Sequence, residues 1–198
     1  MLAVEFIKYF FLMFIILGPE LLILFISSVS GEYPARKLSS VVLKANLVGF
    51  VLLLVFALSG VFILKYIFNI SIESLRITGG IILGFIGIEQ LRQGKVLLLE
   101  NSGRIAEMAV VPLGTPIIAG PAAITLTIAI SYSHGVFYSS AVIVAAIIAN
   151  ILTGFIAIFI GRFIKKKILE IINRIMGLFV TSVGVEMMLT GIKSYFNL

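Results

Sequence analysis

Two long stretches without charged residues constrain this chain more than any other feature of its sequence. Residues 45–64 carry no charge over 20 positions, and residues 108–161 carry none over 54 positions apart from His134. A helix needs about 20 apolar residues to cross a bilayer, so the second stretch has room for two crossings and a turn. The hydrophobic fraction is 61% and the mean hydropathy is +1.22, whereas soluble domains are about 45–50% apolar. The sequence therefore predicts an all-α membrane protein.

The apolar stretches divide into six predicted transmembrane helices joined by short connections. These spans cover residues 3–28, 41–64, 77–99, 108–131, 137–161 and 175–194. No connection is long enough for a soluble domain, so we predict a single transmembrane domain over residues 1–198. A cleaved signal peptide is not expected, because Lys8 interrupts the first apolar run and Pro19-Glu20 stands where a small-residue cleavage site would be.

Basic residues are distributed unevenly between the two sides that these spans define. One side holds 11 of them: Arg36, Lys37, Lys44, Arg92, Lys95, Arg104, Arg162, Lys165, Lys166, Lys167 and Arg174. The other side holds 4: Lys8, Lys65, Arg76 and Lys193. This bias predicts a cell-membrane protein with both termini outside and the 1–2, 3–4 and 5–6 connections in the cytoplasm. The net charge of +6 is then explained by orientation and by contact with anionic lipid, and it requires no nucleic acid.

The two halves of the chain resemble each other at an offset of 97 residues. Gly80, Gly87, Glu89 and Gly94 match Gly177, Gly184, Glu186 and Gly191. Ala45-Asn46 recurs at Ala149-Asn150, and Gly18-Pro19 recurs at Gly120-Pro121, with slightly larger offsets. Because each half has three spans, an odd number, the second half enters the membrane from the opposite side. We therefore predict two inverted three-helix repeats, at about 1–99 and 105–198.

The two Gly-Pro pairs are predicted to break spans 1 and 4. Proline removes a backbone N–H and clashes with the preceding turn, and irregular backbone at membrane depth needs protein or a watery cavity around it. A helix that restarts after Gly120-Pro121 exposes N–H groups and a positive dipole end, which favour a carboxylate. The alternative is a purely structural kink. The candidate substrate-binding residues are Gly18, Pro19, Glu20, Thr115, Gly120, Pro121, Ala122, Ala123 and Thr125.

Carboxylates and amides within the spans are the candidate coupling or gate residues: Glu20, Glu89, Glu186, Asn46 and Asn150. A charge at mid-bilayer costs at least about 2.5–3.5 kcal/mol, so a buried acid is normally paired, protonated or functional. Glu20 is the most central, and we expect it to accept a ligand ammonium or to carry a coupling proton. The alternatives are a local Glu89–Arg92 ion pair, a hydrated Glu186 near the outer face, and helix-bridging hydrogen bonds by the two asparagines.

The run from Pro112 to Thr125, with Pro116 and Gly120-Pro121 inside it, resembles the MarC family of six-span membrane proteins. Two other stretches, Leu75–Gly87 and Arg174–Val185, are similar to that family's third and sixth spans. The family is related to LysE-type amino-acid exporters, and its archaeal SnatA-type members are described as transporters of small neutral amino acids such as glycine and alanine. The resemblance implies the same activity here. One departure is at span 1, where Gly18 and Glu20 flank a proline that the family usually precedes with Asn or Asp.

These observations predict a secondary transporter of a small neutral amino acid, working by alternating access and driven by a proton or sodium gradient. A LysE-like exporter of another metabolite, and a channel or structural membrane protein, remain the alternatives. We expect no enzyme activity, cofactor or metal site, because the chain has no Cys, no Asp and only one His. No glycine-rich ATP-binding loop is recognisable. The sequence leaves the oligomeric state open, a homo-oligomer included.

Overall fold

The described helices overlap the six predicted spans, and those at spans 2 and 6 are longer than predicted. The computed structural model describes residues 2–30, 33–93, 119–160, 163 and 166–196, and these residues form helices and no strands. We number the helices α1 (Leu2–Ile16), α2 (Pro19–Val29), α3 (Ala35–Phe62, continued by a π-helical turn at Ile63–Ile67), α4 (Ile72–Gln93), α5 (Pro121–His134), α6 (Val136–Ile160) and α7 (Lys166–Phe196). The all-α class is confirmed.

Four described segments are long and apolar enough to cross a membrane. They are Ala3–Ser27, Ala35–Ile67, Val136–Ile160 and Glu170–Phe196, which correspond to predicted spans 1, 2, 5 and 6. The third predicted span corresponds to α4, which is not among the four and carries Glu73 and Arg76 near its start and Glu89 and Arg92 near its end.

The fourth predicted span is described only from Ala119 onward, and its helix covers Pro121–His134. Thr115 and the rest of 108–118 lie outside the described residues, as do 94–99 of the third predicted span.

Large apolar side chains cover the outside of the bundle. Leu58, Phe85 and Phe137 are 69%, 71% and 94% exposed. Exposing many large apolar side chains is unfavourable in water but not in the hydrocarbon core of a membrane. Together with the four apolar segments, this surface indicates an integral multi-pass membrane protein.

Helix α1 ends at Ile16, and α2 begins at Pro19, directly after Gly18. Gly18 has φ 65° and ψ 54°, the left-handed conformation that glycine adopts at little cost and that commonly ends a helix. Pro19 has no N–H to satisfy and fits the first turn of α2. The predicted break of span 1 is therefore present, and Glu20 lies in the first turn after it.

Helices α4 and α7 form the most extensive helix pair in the described residues. A Cβ atom on Gly184 would lie 2.7 Å from the carbonyl oxygen of Gly80, and one on Gly177 would lie 2.7 Å from that of Gly87. Only glycine fits at such distances, and small residues of this kind let membrane helices approach closely. The order of these contacts makes the two helices antiparallel. The offset of 97 matches Gly80 with Gly177 and Gly87 with Gly184. In the structure the pairs are exchanged, because Gly80 packs on Gly184 and Gly87 packs on Gly177.

Helices α3 and α6 also pack together, and asparagines mark their contact. The amide Nδ2 of Asn150 donates to Oδ1 of Asn46 at 2.9 Å, and Nδ2 of Asn46 donates to the carbonyl oxygen of Val42 at 2.9 Å. A Cβ atom on Gly154 would meet Val42, so this pair is antiparallel as well. Apolar side chains from both ends of the chain, such as Phe25, Leu53 and Ile143, fill the core around it.

Candidate functional site

The carboxyl group of Glu20 lies inside the bundle, directly after the break between α1 and α2. Glu20 is 6% exposed. Oε1 accepts a hydrogen bond from Nε2 of Gln90 on α4 at 3.5 Å, a long distance for such a bond. Oε2 of Glu20 and Oε1 of Gln90 have no hydrogen-bond partner in the described part of the chain. The site therefore has unused capacity to bind a polar group.

A third buried polar side chain, Asn173, lies on α7 one helical turn before the glycine that meets Gln90. Asn173 is 1% exposed, and within the described ranges neither atom of its amide has a hydrogen-bond partner. It precedes Gly177 by one helical turn and shares its face. A Cβ atom on Gly177 would lie 2.8 Å from the Cβ of Gln90, so this face of α7 is directed at Gln90. We call Glu20 and Gln90, together with Asn173 on the facing side of α7, the Glu20 site.

Sequence reasoning identified Glu20 but missed Gln90 and Asn173. It selected Glu89 because that residue is charged, yet Glu89 is only partly buried whereas the adjacent Gln90 is 4% exposed. The missed signal was the position of the glycines. Gln90 follows Gly87 by three residues and Asn173 precedes Gly177 by four, so both lie on the glycine faces that pack together.

The second Gly-Pro pair starts α5 in the same apolar core. Gly120 is extended, with φ −68° and ψ 168°, and Pro121 occupies the first turn of the helix. Ala119, Ala122 and Ala123 are 5%, 3% and 0% exposed. No side chain caps this helix in the described residues, so the N–H groups of Ala122 and Ala123 remain available at its positive end. This geometry matches the predicted restart.

Thr125 serves the backbone in this structure. Its Oγ1 donates to the carbonyl oxygen of Pro121 at 2.8 Å, one turn earlier in α5. A Cβ atom on Gly79 would lie 2.6 Å from Cγ2 of Thr125, so the side chain packs directly on α4. The hydroxyl of this candidate substrate-binding residue therefore supports the backbone of α5 in this structure. Thr115 lies outside the described residues.

Glu89 and Glu186, the two acids matched by the repeat, differ in position. Glu89 is next to Gln90 in the chain, and Glu186 lies near Arg76 at the other end of α4. Because α4 and α7 are antiparallel, Glu89 and Glu186 lie toward opposite ends of this helix pair. Glu186 is exposed, and Glu89 is partly buried. The bridging that we considered for Asn46 and Asn150 is present, and both residues are fully buried. A gating role for Glu89, Glu186, Asn46 and Asn150 stays a prediction.

Comparison with known proteins places the chain among membrane proteins of similar length. Its sequence matches that of the UPF0056 membrane protein PH0214 of Pyrococcus horikoshii with 38% identity over 180 residues, covering 91% of this chain and 89% of the relative. The UPF0056 membrane protein YhcE of Escherichia coli is 31% identical over 204 residues, covering 96% and 92%. No solved structure matches. The sequence profile of the MarC family of integral membrane proteins matches residues 3–196, so the chain belongs to that family.

Proposed function

We propose that this protein is a secondary transporter of small neutral amino acids, of the glycine and alanine class. The observation that carries the proposal is the Glu20 site, where a carboxyl group and two amides are buried beside a broken helix with unused hydrogen-bonding capacity. Ionisable groups inside a membrane are costly, and they commonly mark ion or substrate pathways. Membership of the MarC family, with the resemblance to its SnatA-type members, supports amino acids as the substrate class.

Each end of a small amino acid has a suitable partner among the candidate residues. The N–H groups of Ala122 and Ala123, at the positive end of α5, suit the substrate carboxylate. The carboxylate of Glu20 suits the ammonium group or a coupling proton, and its position at the start of α2 keeps it close to the break. A proton or sodium gradient supplies the driving force in this proposal.

Alternating access requires two halves that move against each other, and the helix contacts support such an arrangement. Gly80 packs on Gly184 and Gly87 on Gly177, which is the reciprocal pattern expected across a two-fold axis. The matched Asn46 and Asn150 also meet each other. These contacts support six spans in two inverted repeats. The uneven distribution of basic residues is what supports both termini outside. Many transporters have this architecture, with substrate bound near the repeat interface.

Transport is tested with purified protein in liposomes and radiolabelled glycine or alanine under an imposed proton or sodium gradient. We expect gradient-dependent uptake. The Glu20→Gln variant keeps the side-chain shape but loses the charge, and we expect roughly 10- to 100-fold slower uptake, as for the loss of a charge-assisted hydrogen bond. Glu73→Gln, at the start of α4 and outside the site, is the matched control and should transport normally.

Three results separate this proposal from its alternatives. Absence of uptake for every neutral amino acid, with intact protein by size-exclusion chromatography, would contradict it. Flux of a different metabolite in that experiment would indicate a LysE-like exporter. Flux that follows only the concentration gradient of the permeating molecule, and that Glu20→Gln leaves unchanged, would indicate a channel.

A further inference from the structure

A polar cavity lies at the opposite end of α4 from the Glu20 site. It has a volume of about 130 Å³ and is formed by α1, α4, α5 and α7. Its polar lining comes from Lys8, Tyr9, Arg76, Glu186 and Thr190, and the rest of its wall is apolar. Arg76 and Gln90 are separated by 14 positions on α4, which corresponds to about 21 Å along a helix. This Arg76 cavity is therefore distinct from the Glu20 site.

The charged groups around the Arg76 cavity do not neutralise each other. Arg76 is partly buried, and its Nη2 donates to Oγ of Ser133 at 3.1 Å. Lys8 and Glu186 are exposed. Within the described ranges, neither cation has an acidic partner at ion-pair distance, and Glu186 has no basic partner. Two positive charges and one negative charge thus line one small space.

The size and charge of the cavity together define the ligand that it fits. Pockets for drug-sized ligands measure about 300–1,000 Å³, so this cavity holds only a molecule of a few heavy atoms. The guanidinium of Arg76 is suited to a carboxylate, which it binds with two parallel hydrogen bonds. Glu186 is suited to an ammonium group and repels a simple anion, whereas Lys8 and Arg76 repel a simple cation. Only a small zwitterion satisfies both ends of the cavity.

We propose that the Arg76 cavity is a separate binding site for a small zwitterionic amino acid, occupied before the substrate reaches the Glu20 site. Arg76 and Lys8 hold the carboxylate, and Glu186 holds the ammonium group. The inference rests on the proposed transport function and adds a second site to it. In this structure the Arg76 cavity is open to the surface, whereas Glu20 is buried.

Calorimetric titration tests the Arg76 cavity separately when the Glu20 site has been altered by mutation. Alanine is titrated into the Glu20→Gln protein, where we expect binding to persist. Adding Arg76→Gln or Glu186→Gln should weaken it at least about tenfold, since each removes a charge-assisted contact. Arg76→Lys should restore part of the affinity. Ser133→Ala loses the contact to Arg76 but keeps the guanidinium, and Lys193→Gln removes a cation from the end of α7; both should bind like the parent.

Analogues with a single charge show whether both ends are recognised. Propionate lacks the ammonium group and alaninamide lacks the carboxylate, so each should bind at least about tenfold more weakly than alanine. Replacing Glu186 should improve the binding of propionate, because it removes a repulsion, while replacing Arg76 should do the same for alaninamide. A merely structural role of either residue would not reverse its effect between the two analogues.

The outcomes distinguish the cavity from the transport function. The inference is overturned if Glu20→Gln protein binds no alanine, if Arg76→Gln and Glu186→Gln bind it like the parent, or if propionate and alaninamide bind as tightly as alanine. If the wild-type protein still transports alanine in those cases, the proposed transport function is retained and only the second binding site is rejected. If the wild-type protein neither binds nor transports any amino acid, both proposals fall.

Discussion

Two neighbouring residues on α4, Glu89 and Gln90, show how one position along a helix separates different environments. Glu89 is partly buried, whereas Gln90 is 4% exposed and donates to Glu20. A shift of one residue rotates a side chain by roughly 100° around a helix, enough to move it away from the core. Charge and the repeat favoured Glu89 in the sequence, but burial identifies Gln90 as the residue that contacts Glu20.

Removal of the Gln90 amide tests whether this contact serves transport. Gln90→Met has a similar shape but no donor, so it leaves the Glu20 carboxyl group without its partner in the described residues. We expect roughly 5- to 10-fold slower alanine uptake, because a hydrogen bond of this kind contributes about 1 kcal/mol. Ile88→Met, at an exposed position of the same helix, should have no effect. Equal uptake by both variants would exclude Gln90 from the transport site.

At the scale of elements, the α4–α7 pair depends on glycines at particular positions. Their spacing of seven residues, from Gly80 to Gly87 and from Gly177 to Gly184, returns each glycine to the same face after two turns. Close approach of the two backbones increases van der Waals contact, which is a main source of helix association in a membrane. Three of the polar residues discussed above, Gln90, Asn173 and Glu186, are placed by this one helix pair.

A pair of glycine substitutions on α4 tests that role with a control in the same helix. A Cβ atom on Gly80 would clash with the backbone of α7, whereas one on Gly84 would meet nothing within 4 Å. Gly80→Ala should therefore destabilise the protein by about 1–3 kcal/mol, as overpacking does. Gly84→Ala should be neutral or stabilising, because alanine favours a helix by about 1 kcal/mol over glycine. Unfolding in mixed micelles of increasing sodium dodecyl sulfate measures both.

The opposite ordering of these two variants would contradict the observed packing. If Gly84→Ala destabilised the protein and Gly80→Ala did not, α7 would have to approach α4 on a different face. The Glu20 site would then lose its link to Asn173, while the break at Gly18-Pro19 would be unaffected.

At the scale of the whole molecule, the orientation in the membrane decides which side the Arg76 cavity opens to. The excess of basic residues on the opposite side predicts that the cavity opens to the exterior. Thr190 lines it and is exposed, and the chain contains no cysteine. A single introduced cysteine is therefore a clean reporter of sidedness.

Labelling of intact cells with a membrane-impermeant maleimide tests this orientation. Thr190→Cys should react in intact cells, whereas Lys167→Cys, exposed at the start of α7, should react only after the cells are permeabilised. Excess alanine should slow labelling of Thr190→Cys if the cavity binds it. Reaction of Lys167→Cys alone in intact cells would reverse the predicted topology, and the cavity would then face the cytoplasm.

The sequence by itself determined the features that depend on local chemistry. Long apolar stretches predict helices in a bilayer because every backbone polar group must be satisfied within its own segment. Gly18-Pro19 and Gly120-Pro121 predict helix breaks because their effects on φ and on backbone hydrogen bonding need no distant partner. Glu20 was identified for a similar reason, since a carboxyl group in an apolar segment is costly wherever that segment packs.

Only the tertiary structure decided which faces of the helices meet. Helices that are apolar all round carry little information about which side is turned inward. The contact between Glu20 and Gln90 joins positions 70 residues apart, and that between Asn46 and Asn150 joins positions 104 apart. The Arg76 cavity likewise needs four helices. Such sites are set by close packing between distant segments, so a single sequence supplies their residues while the packed bundle determines their combination.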